Sequence, residues 1–144
     1  MGNVWAADKM LGIPVAGGLV DHKEDCLEQS RISSEAILKA YPQSRAVANT
    51  FRFDHGQGIR YYTTLYTDGQ LFVSKEYVAE QIVGKVGSGD CFMAGLIYGF
   101  YKKLAPQQIL DFATEAAFAK LFTESDFNTN TIQDIKKVVQ EYED

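Results

Sequence analysis

The stretch Val86-Gly87-Ser88-Gly89-Asp90, with the helix expected after it from Cys91 to Lys103, constrains this chain more than any other part of it. Two alternating runs rich in β-branched and aromatic residues precede it. The run that follows spaces Phe92, Leu96, Ile97 and Phe100 along one side, with Gly95 and Gly99 four residues apart. A strand that enters a Gly-x-Gly turn and leaves as a helix is suited to holding an anion. Glycine permits positive φ and close backbone approach, and the first N–H groups of a helix have no intrahelical partner. With the positive end of the helix dipole, those donors suit a phosphate or a developing oxyanion. Asp90 then puts a negative charge where an anion would bind. That makes sense if Asp90 takes a proton from a substrate hydroxyl; the simpler reading makes it the helix N-cap. Two other uses of the glycines fail on spacing. A dinucleotide fingerprint needs a third glycine where Phe92 stands, and the Gly-Lys-Ser/Thr ending of a Walker loop is absent.

The longer run Gly87-Ser88-Gly89-Asp90-Cys91-Phe92-Met93-Ala94-Gly95-Leu96-Ile97-Tyr98-Gly99 resembles the C-terminal signature of the ribokinase-like (PfkB) carbohydrate kinases. That signature reads Gly, a small residue, Gly-Asp, a small residue, Phe, then Gly-Leu near a second glycine. Within the family, Ala48-Asn49-Thr50-Phe51-Arg52, Ser74-Lys75-Glu76-Tyr77 and Leu96-Ile97-Tyr98-Gly99 are most similar to the 2-keto-3-deoxygluconate kinases.

The resemblance implies an α/β fold, a ribokinase-like three-layer α/β/α arrangement with a partly parallel sheet and a β-hairpin. Residues 1–144 would be the C-terminal half of such a domain, without its N-terminal sugar-binding half and lid. It implies ATP-dependent phosphorylation of a sugar or sugar-acid hydroxyl, with 2-keto-3-deoxygluconate as the substrate. Asp90 would be the catalytic base and touch the substrate, while Gly87, Ser88 and Gly89 form the anion hole at the ATP phosphates. Asn3, Thr50 and Arg52 would add ATP contacts, and Asp126, in Ser125-Asp126-Phe127-Asn128, would lie near the substrate. Asn3 also opens the family's Asn-x-x-Glu helix, whose glutamate organises Mg²⁺-bound water. Here Ala6 holds that position, and alanine offers no oxygen to a hard cation or its waters. Mg²⁺ therefore accompanies ATP as an implied cofactor, but no residue is assigned as its ligand.

Beside a purely structural α/β domain, two readings compete with the kinase. One is a non-catalytic nucleotide-binding module, favoured by Ala6 and by the absent half. The other is a different PfkB kinase of ribokinase or fructokinase type; Thr50-Phe51-Arg52 speaks against it, because those enzymes carry glycine after the Thr-x pair. For Arg52 the residues leave two uses open. Its guanidinium suits paired charge-assisted bonds to a phosphate, and it equally suits a solvated strand end.

Along the chain, Asn3 to Leu11 reads as a helix that Gly12 stops, and Ile13 to Val20 as a strand or turn running into loop. His22 to Ser30 reads as a short polar helix. Ser33 or Ser34 then caps a second, Glu35 to Tyr41, which Pro42 ends. Ala46 to Phe53 reads as a buried strand and Asp54 to Gly58 as a polar loop. Ile59 to Thr67 and Gln70 to Ser74 flank Asp68-Gly69, a strong hairpin signal. Gln107 to Phe122 and Thr131 to Tyr142 are the last two helices. The alanine-rich face of the first permits close approach of another helix or of an adenine ring.

A net charge of −5 with no long basic run argues against nucleic acid and anionic membrane as partners. No apolar run approaches the roughly 20 residues of a membrane span, and the N-terminus does not read as a signal peptide. Cys26 and Cys91, far apart and without metal spacing, point to reduced thiols and a cytoplasmic location. His22 and His55 read as surface loop residues. The expected partners are a nucleotide and a small sugar acid, and an unpaired sheet edge would favour a homo-oligomer.

Overall fold

In the computed structural model, which describes residues 1–17, 22–125 and 128–143, a four-stranded sheet is sandwiched between two layers of helices. The elements are α1 (Val4–Leu11), α2 (Lys23–Ala40), β1 (Ala46–His55), β2 (Gly58–Thr67), β3 (Gln70–Val73), β4 (Tyr77–Ala79), α3 (Ser88–Tyr101), α4 (Pro106–Lys120) and α5 (Ile132–Glu143). The three-layer expectation holds.

β2 is the middle of the sheet. It pairs along its whole length with β1, from Ala46 opposite Thr67 to His55 opposite Gly58. On its other edge it takes β3 and then β4, one beyond the other. All of these pairings are antiparallel, so the partly parallel sheet that the resemblance implies is not seen between the named strands. Among the described residues, parallel pairing is confined to one bridge, Gly2 beside Asn49, where Gly2 N–H donates to the Ala48 carbonyl and Thr50 N–H to the Gly2 carbonyl. The reason is local. Both turns that join the long strands are tight, and tight turns return the chain antiparallel. Asp68 and Gly69 both take positive φ, 52° and 75°, as a two-residue hairpin of the Asp-Gly kind requires. The stretch read as a loop, Asp54 to Gly58, is mostly strand: only residues 56–57 turn, with Gly56 at φ 62°.

Strand alternation sorts the core into two halves. Ile59, Tyr61 and Leu65 of β2 face α3 and α4, where Phe92, Leu96, Ile109, Leu110, Ala113 and Phe118 complete the larger cluster. Tyr62 and Phe51 face the other way and stack at 5.0 Å beside Val4 and Cys26 of α1 and α2. β2 is consequently buried on both sides, and it reads as a near-continuous apolar and threonine-rich run.

The pair of helices expected from His22 to Tyr41 is a single helix. Ser33 and Ser34 do not cap anything; they lie buried in the middle of α2. Gln29 Nε2 donates to Ser33 Oγ at 2.8 Å, and the neighbouring Ser30 hydroxyl shares a hydrogen bond with Thr64 at 2.7 Å. Hydroxyls satisfied in this way behave as small packing residues, so they need not start a new helix. On the solvent side Arg31 bridges Glu28 and Glu35, one turn back and one turn on, which supports an unbroken helix. Between α1 and α2, residues 13–17 form neither helix nor strand, and residues 18–21 lie outside the described part. His22 and His55 are exposed, as expected, but His55 ends β1, paired with Gly58, and is not a loop residue.

α3 and α4 pack more closely than ordinary side chains allow. Gly95 faces Ala113 and Gly99 faces Ile109, and a Cβ on either glycine would collide with the partner helix. No helix among the described residues is long and apolar enough to cross a membrane.

Candidate active site

The turn before α3 carries its strain at one glycine. Gly87 is the N-cap, with φ 80° and ψ −5°. Gly89 has no positive φ and open space around its Cβ position, so the conformational demand falls on the first glycine and not on the second. The first helical bond runs from Cys91 N–H to the Gly87 carbonyl at 3.0 Å. The N–H groups of Ser88, Gly89 and Asp90 therefore precede the helical ladder and point out of its positive end. Ser88 is buried, and its hydroxyl donates to the Lys85 carbonyl at 3.1 Å, tying the turn to the chain that enters it. Asp90 is not the N-cap. It stands three residues into the helix, exposed, where a carboxylate favours the dipole.

Two cavities open on either side of this turn. The first is a cleft of ≈ 410 Å³ lined by Asn3, Trp5, Thr50, Arg52, Tyr61, Lys85, Ser88 and Gly89. Thr50 and Arg52 reach it because alternate residues of β1 share the face of the sheet that carries α3. Asn3 reaches it as the N-cap of α1, with its side-chain oxygen accepting from Ala6 N–H at 2.8 Å. Five of the residues singled out from the sequence thus meet in one place. The second cavity, ≈ 560 Å³, takes Gly87 and Asp90 on its rim. Its walls are Ala94, Gly95, Tyr98, Phe112, Ala116, Ile132 and Ile135, with Asn128 and Asn130 as polar groups. Asp90 and Arg52 accordingly flank the turn instead of sharing a cleft. Asp126 lies outside the described residues.

Sequence reasoning missed Lys85 and Tyr61 in the polar cleft, and with them Trp5, which it read only as a helix residue. A lysine two residues ahead of a Gly-x-Gly turn was a signal for the first. For Tyr61, only the pairing of β1 and β2, which sets it opposite Arg52, brings it there. Burial holds the Tyr61 phenol well above the usual tyrosine range, so it is a neutral wall and hydrogen-bond group.

The residues present do not form a magnesium site of their own. Asn3 spends its side-chain oxygen on the helix cap, and Ala6, which offers no oxygen, lines a second groove together with Asn3, Met10, Leu11 and Ile37. Among the described residues no three His, Cys, Asp or Glu side chains gather closely enough to hold a metal ion.

No protein-family model matches the chain. The 2-dehydro-3-deoxygluconokinase of Thermotoga maritima superposes on 96% of it with a TM-score of 0.82 and 28% sequence identity. Solved structures similar to this chain include PfkB-family carbohydrate kinases. A PfkB family carbohydrate kinase of Listeria grayi superposes on 94% of the chain with a TM-score of 0.73, and at 23% identity that likeness speaks for the fold. The 1-phosphofructokinase of Haemophilus influenzae is 44% identical over 59 residues, which cover 35% of this chain and 19% of that protein. The ribokinase-like fold holds over nearly all of the described sequence, yet the chain spans only about 40% of the length of the two solved kinases.

Proposed function

We propose that this chain supplies the nucleotide side and the base of a sugar-acid kinase, transferring phosphate from ATP to a hydroxyl of 2-keto-3-deoxygluconate. The observation that carries the reading is the convergence of Asn3, Thr50, Arg52, Ser88 and Gly89 on one polar cleft at the positive end of α3. Phosphates would lie there, against backbone N–H donors and the Arg52 guanidinium. The apolar cavity across the turn suits the base: Ala116 leaves room for a flat ring, Phe112 and Tyr98 give it aromatic walls, and Asn128 and Asn130 offer amide groups to its edge. Asp90, on the rim of that cavity beside the turn, accepts the proton of the attacking hydroxyl. A carboxylate is a weak base, but in a loose phosphoryl-transfer transition state the hydroxyl loses its proton late. The unpaired N–H groups of the turn stabilise charge on the transferring group.

The sugar in this reading is the one in the name of the Thermotoga kinase; the Haemophilus relative favours a phosphorylated fructose instead. A non-catalytic nucleotide-binding role is the second reading, supported by Ala6, which offers no oxygen to a metal ion or its waters.

Coupled ADP release tests all three. The 144-residue chain alone should turn over negligibly with either sugar, because positioning of the hydroxyl is worth about 7–11 kcal/mol of a barrier and the chain offers little to supply it. Joined to the portion of the Thermotoga kinase outside the superposition, it should phosphorylate 2-keto-3-deoxygluconate. Near-normal turnover by the chain alone would show the sugar site misplaced. A completed chain that binds ATP without turnover would establish the non-catalytic role.

A further inference from the structure

Lys85 belongs to none of the roles above, yet it lines the polar cleft beside Arg52. Its backbone is fixed where the chain enters the turn, through the buried Ser88 hydroxyl on its carbonyl. Its ammonium sits 2.6 Å from Asp54 Oδ1. Asp54 is the next residue after Arg52 on that face of β1, and it stands outside the cleft that Lys85 lines. The hydrogen bond from Lys85 and its charge hold the Asp54 carboxyl below its ordinary range, with a weaker contribution from the Arg52 charge.

The pair is open to water, with the Lys85 side chain 44% and that of Asp54 75% exposed. An exposed pair of this kind is weak and easily exchanged. A phosphate in the cleft offers the same ammonium more: it carries more charge than one carboxylate, and the protein already holds it with Arg52 and the helix donors. We propose that Lys85 is an anion-binding residue of this cleft, parked on Asp54 when the cleft is empty and passed to a polyphosphate when it is filled. The inference rests on the phosphate reading of the cleft and makes its ligand a chain of several phosphates, since two cations and the open end of a helix exceed what a single phosphate needs.

The opposite signs of two substitutions separate this from an ordinary surface ion pair. Calorimetry on the 144-residue chain would use inorganic tripolyphosphate and ATP as probes, with circular dichroism confirming that each variant is folded. Lys85→Met, which keeps the stem, should weaken both probes about tenfold, the order expected for one charge-assisted bond. Asp54→Asn should tighten both about threefold by releasing the ammonium. In the double variant Asp54→Asn should give no gain, and Lys85→Arg should restore most of the binding. Unchanged affinity in Lys85→Met, or weaker binding in Asp54→Asn, overturns the role of Lys85. If Lys85 acts as described but ATP binds no better than tripolyphosphate, the proposal stands and the nucleotide reading fails. Binding of neither probe to the unaltered chain overturns both.

Discussion

Gly95 of α3 lies so close to α4 that a Cβ built on it would stand 2.6 Å from the Cα of Ala113. The same glycine lines the apolar cavity, so one close approach both closes the core and shapes the pocket beside the turn. In an exposed helix, replacing glycine by alanine stabilises by about 1 kcal/mol. Here the contact is with backbone, which cannot rotate away. Gly95→Ala should therefore destabilise the chain by about 1–3 kcal/mol, as overpacking of a tight core does. Gly89→Ala, in the same helix but with open space around its Cβ, should be neutral or mildly stabilising. Urea unfolding of the two variants checks the contrast. Equal behaviour would mean that α3 and α4 are not packed this closely.

Gly87 and Gly89 should also part company in binding. Valine at position 87 would be held at φ 80°, where a β-branched residue is strained. Gly87→Val should release the turn, scatter the N–H donors of Ser88 and Gly89, and abolish tripolyphosphate binding while the helical signal in circular dichroism stays largely intact. Gly89→Ala should keep binding within a few-fold. The reverse pattern would place the critical conformation at the second glycine.

The helix before the C-terminus offers a test of which cavity takes the base. Thr131 and Asp134 cap α5 reciprocally: Asp134 Oδ2 accepts from Thr131 N–H at 2.8 Å and from its hydroxyl at 2.6 Å, and Thr131 Oγ1 accepts from Asp134 N–H at 3.3 Å. These bonds, the hydroxyl first, lower the Asp134 pKa. A carboxyl depressed in the folded state stabilises above its unfolded value near 4 and loses that contribution as pH falls through the folded value. Amide protection in residues 132–135, taken relative to the intrinsic exchange rate at each pH, should accordingly fall below about pH 4, and Thr131→Ala should produce the same fraying at neutral pH, where such a cap is worth about 0.5–2 kcal/mol. Ile132 and Ile135 line the apolar cavity, so Thr131→Ala should weaken ATP several-fold and leave tripolyphosphate unchanged. Equal loss for both probes would mean that the base does not lie there.

What was legible in the sequence was the local chemistry that strong signals write. The Asp-Gly hairpin, the turn at Gly87, and the helix that Asn3 caps and Gly12 ends all appear where those residues put them. Ser33 and Ser34 misled, because a serine that starts a helix and a serine buried within one differ only in the tertiary partner, here Gln29 for Ser33. The strand direction was equally invisible: parallel pairing was carried over from the family, whereas the tight turns at 56–57 and 68–69 return the chain antiparallel. In the site, Ser88 and Gly89 of the motif were found, and so were Asn3, Thr50 and Arg52 through the family likeness, whereas Lys85, Tyr61 and Trp5 were not. Their place in the cleft depends on how the sheet meets the turn before α3, which no local pattern records.

The assignment of Asp90 as base stands or falls on a substitution that leaves everything else in place. At the third position of α3 the side chain is exposed, so Asp90→Asn disturbs no packing. Its cost to stability should be only the lost attraction between a carboxylate and the helix N-terminus, about 0.3–1 kcal/mol. Asparagine keeps the shape and can still accept a hydrogen bond, but it cannot take up a proton at neutral pH. In a completed kinase, turnover should fall roughly 10²-fold or more, the usual worth of a positioned base, while ATP affinity stays the same or improves slightly, because a negative charge beside the phosphates has gone. Loss of affinity with unchanged turnover would make Asp90 a binding residue. Turnover within threefold of the unaltered protein would leave it the bland role its position permits, a carboxylate placed to suit the dipole of α3.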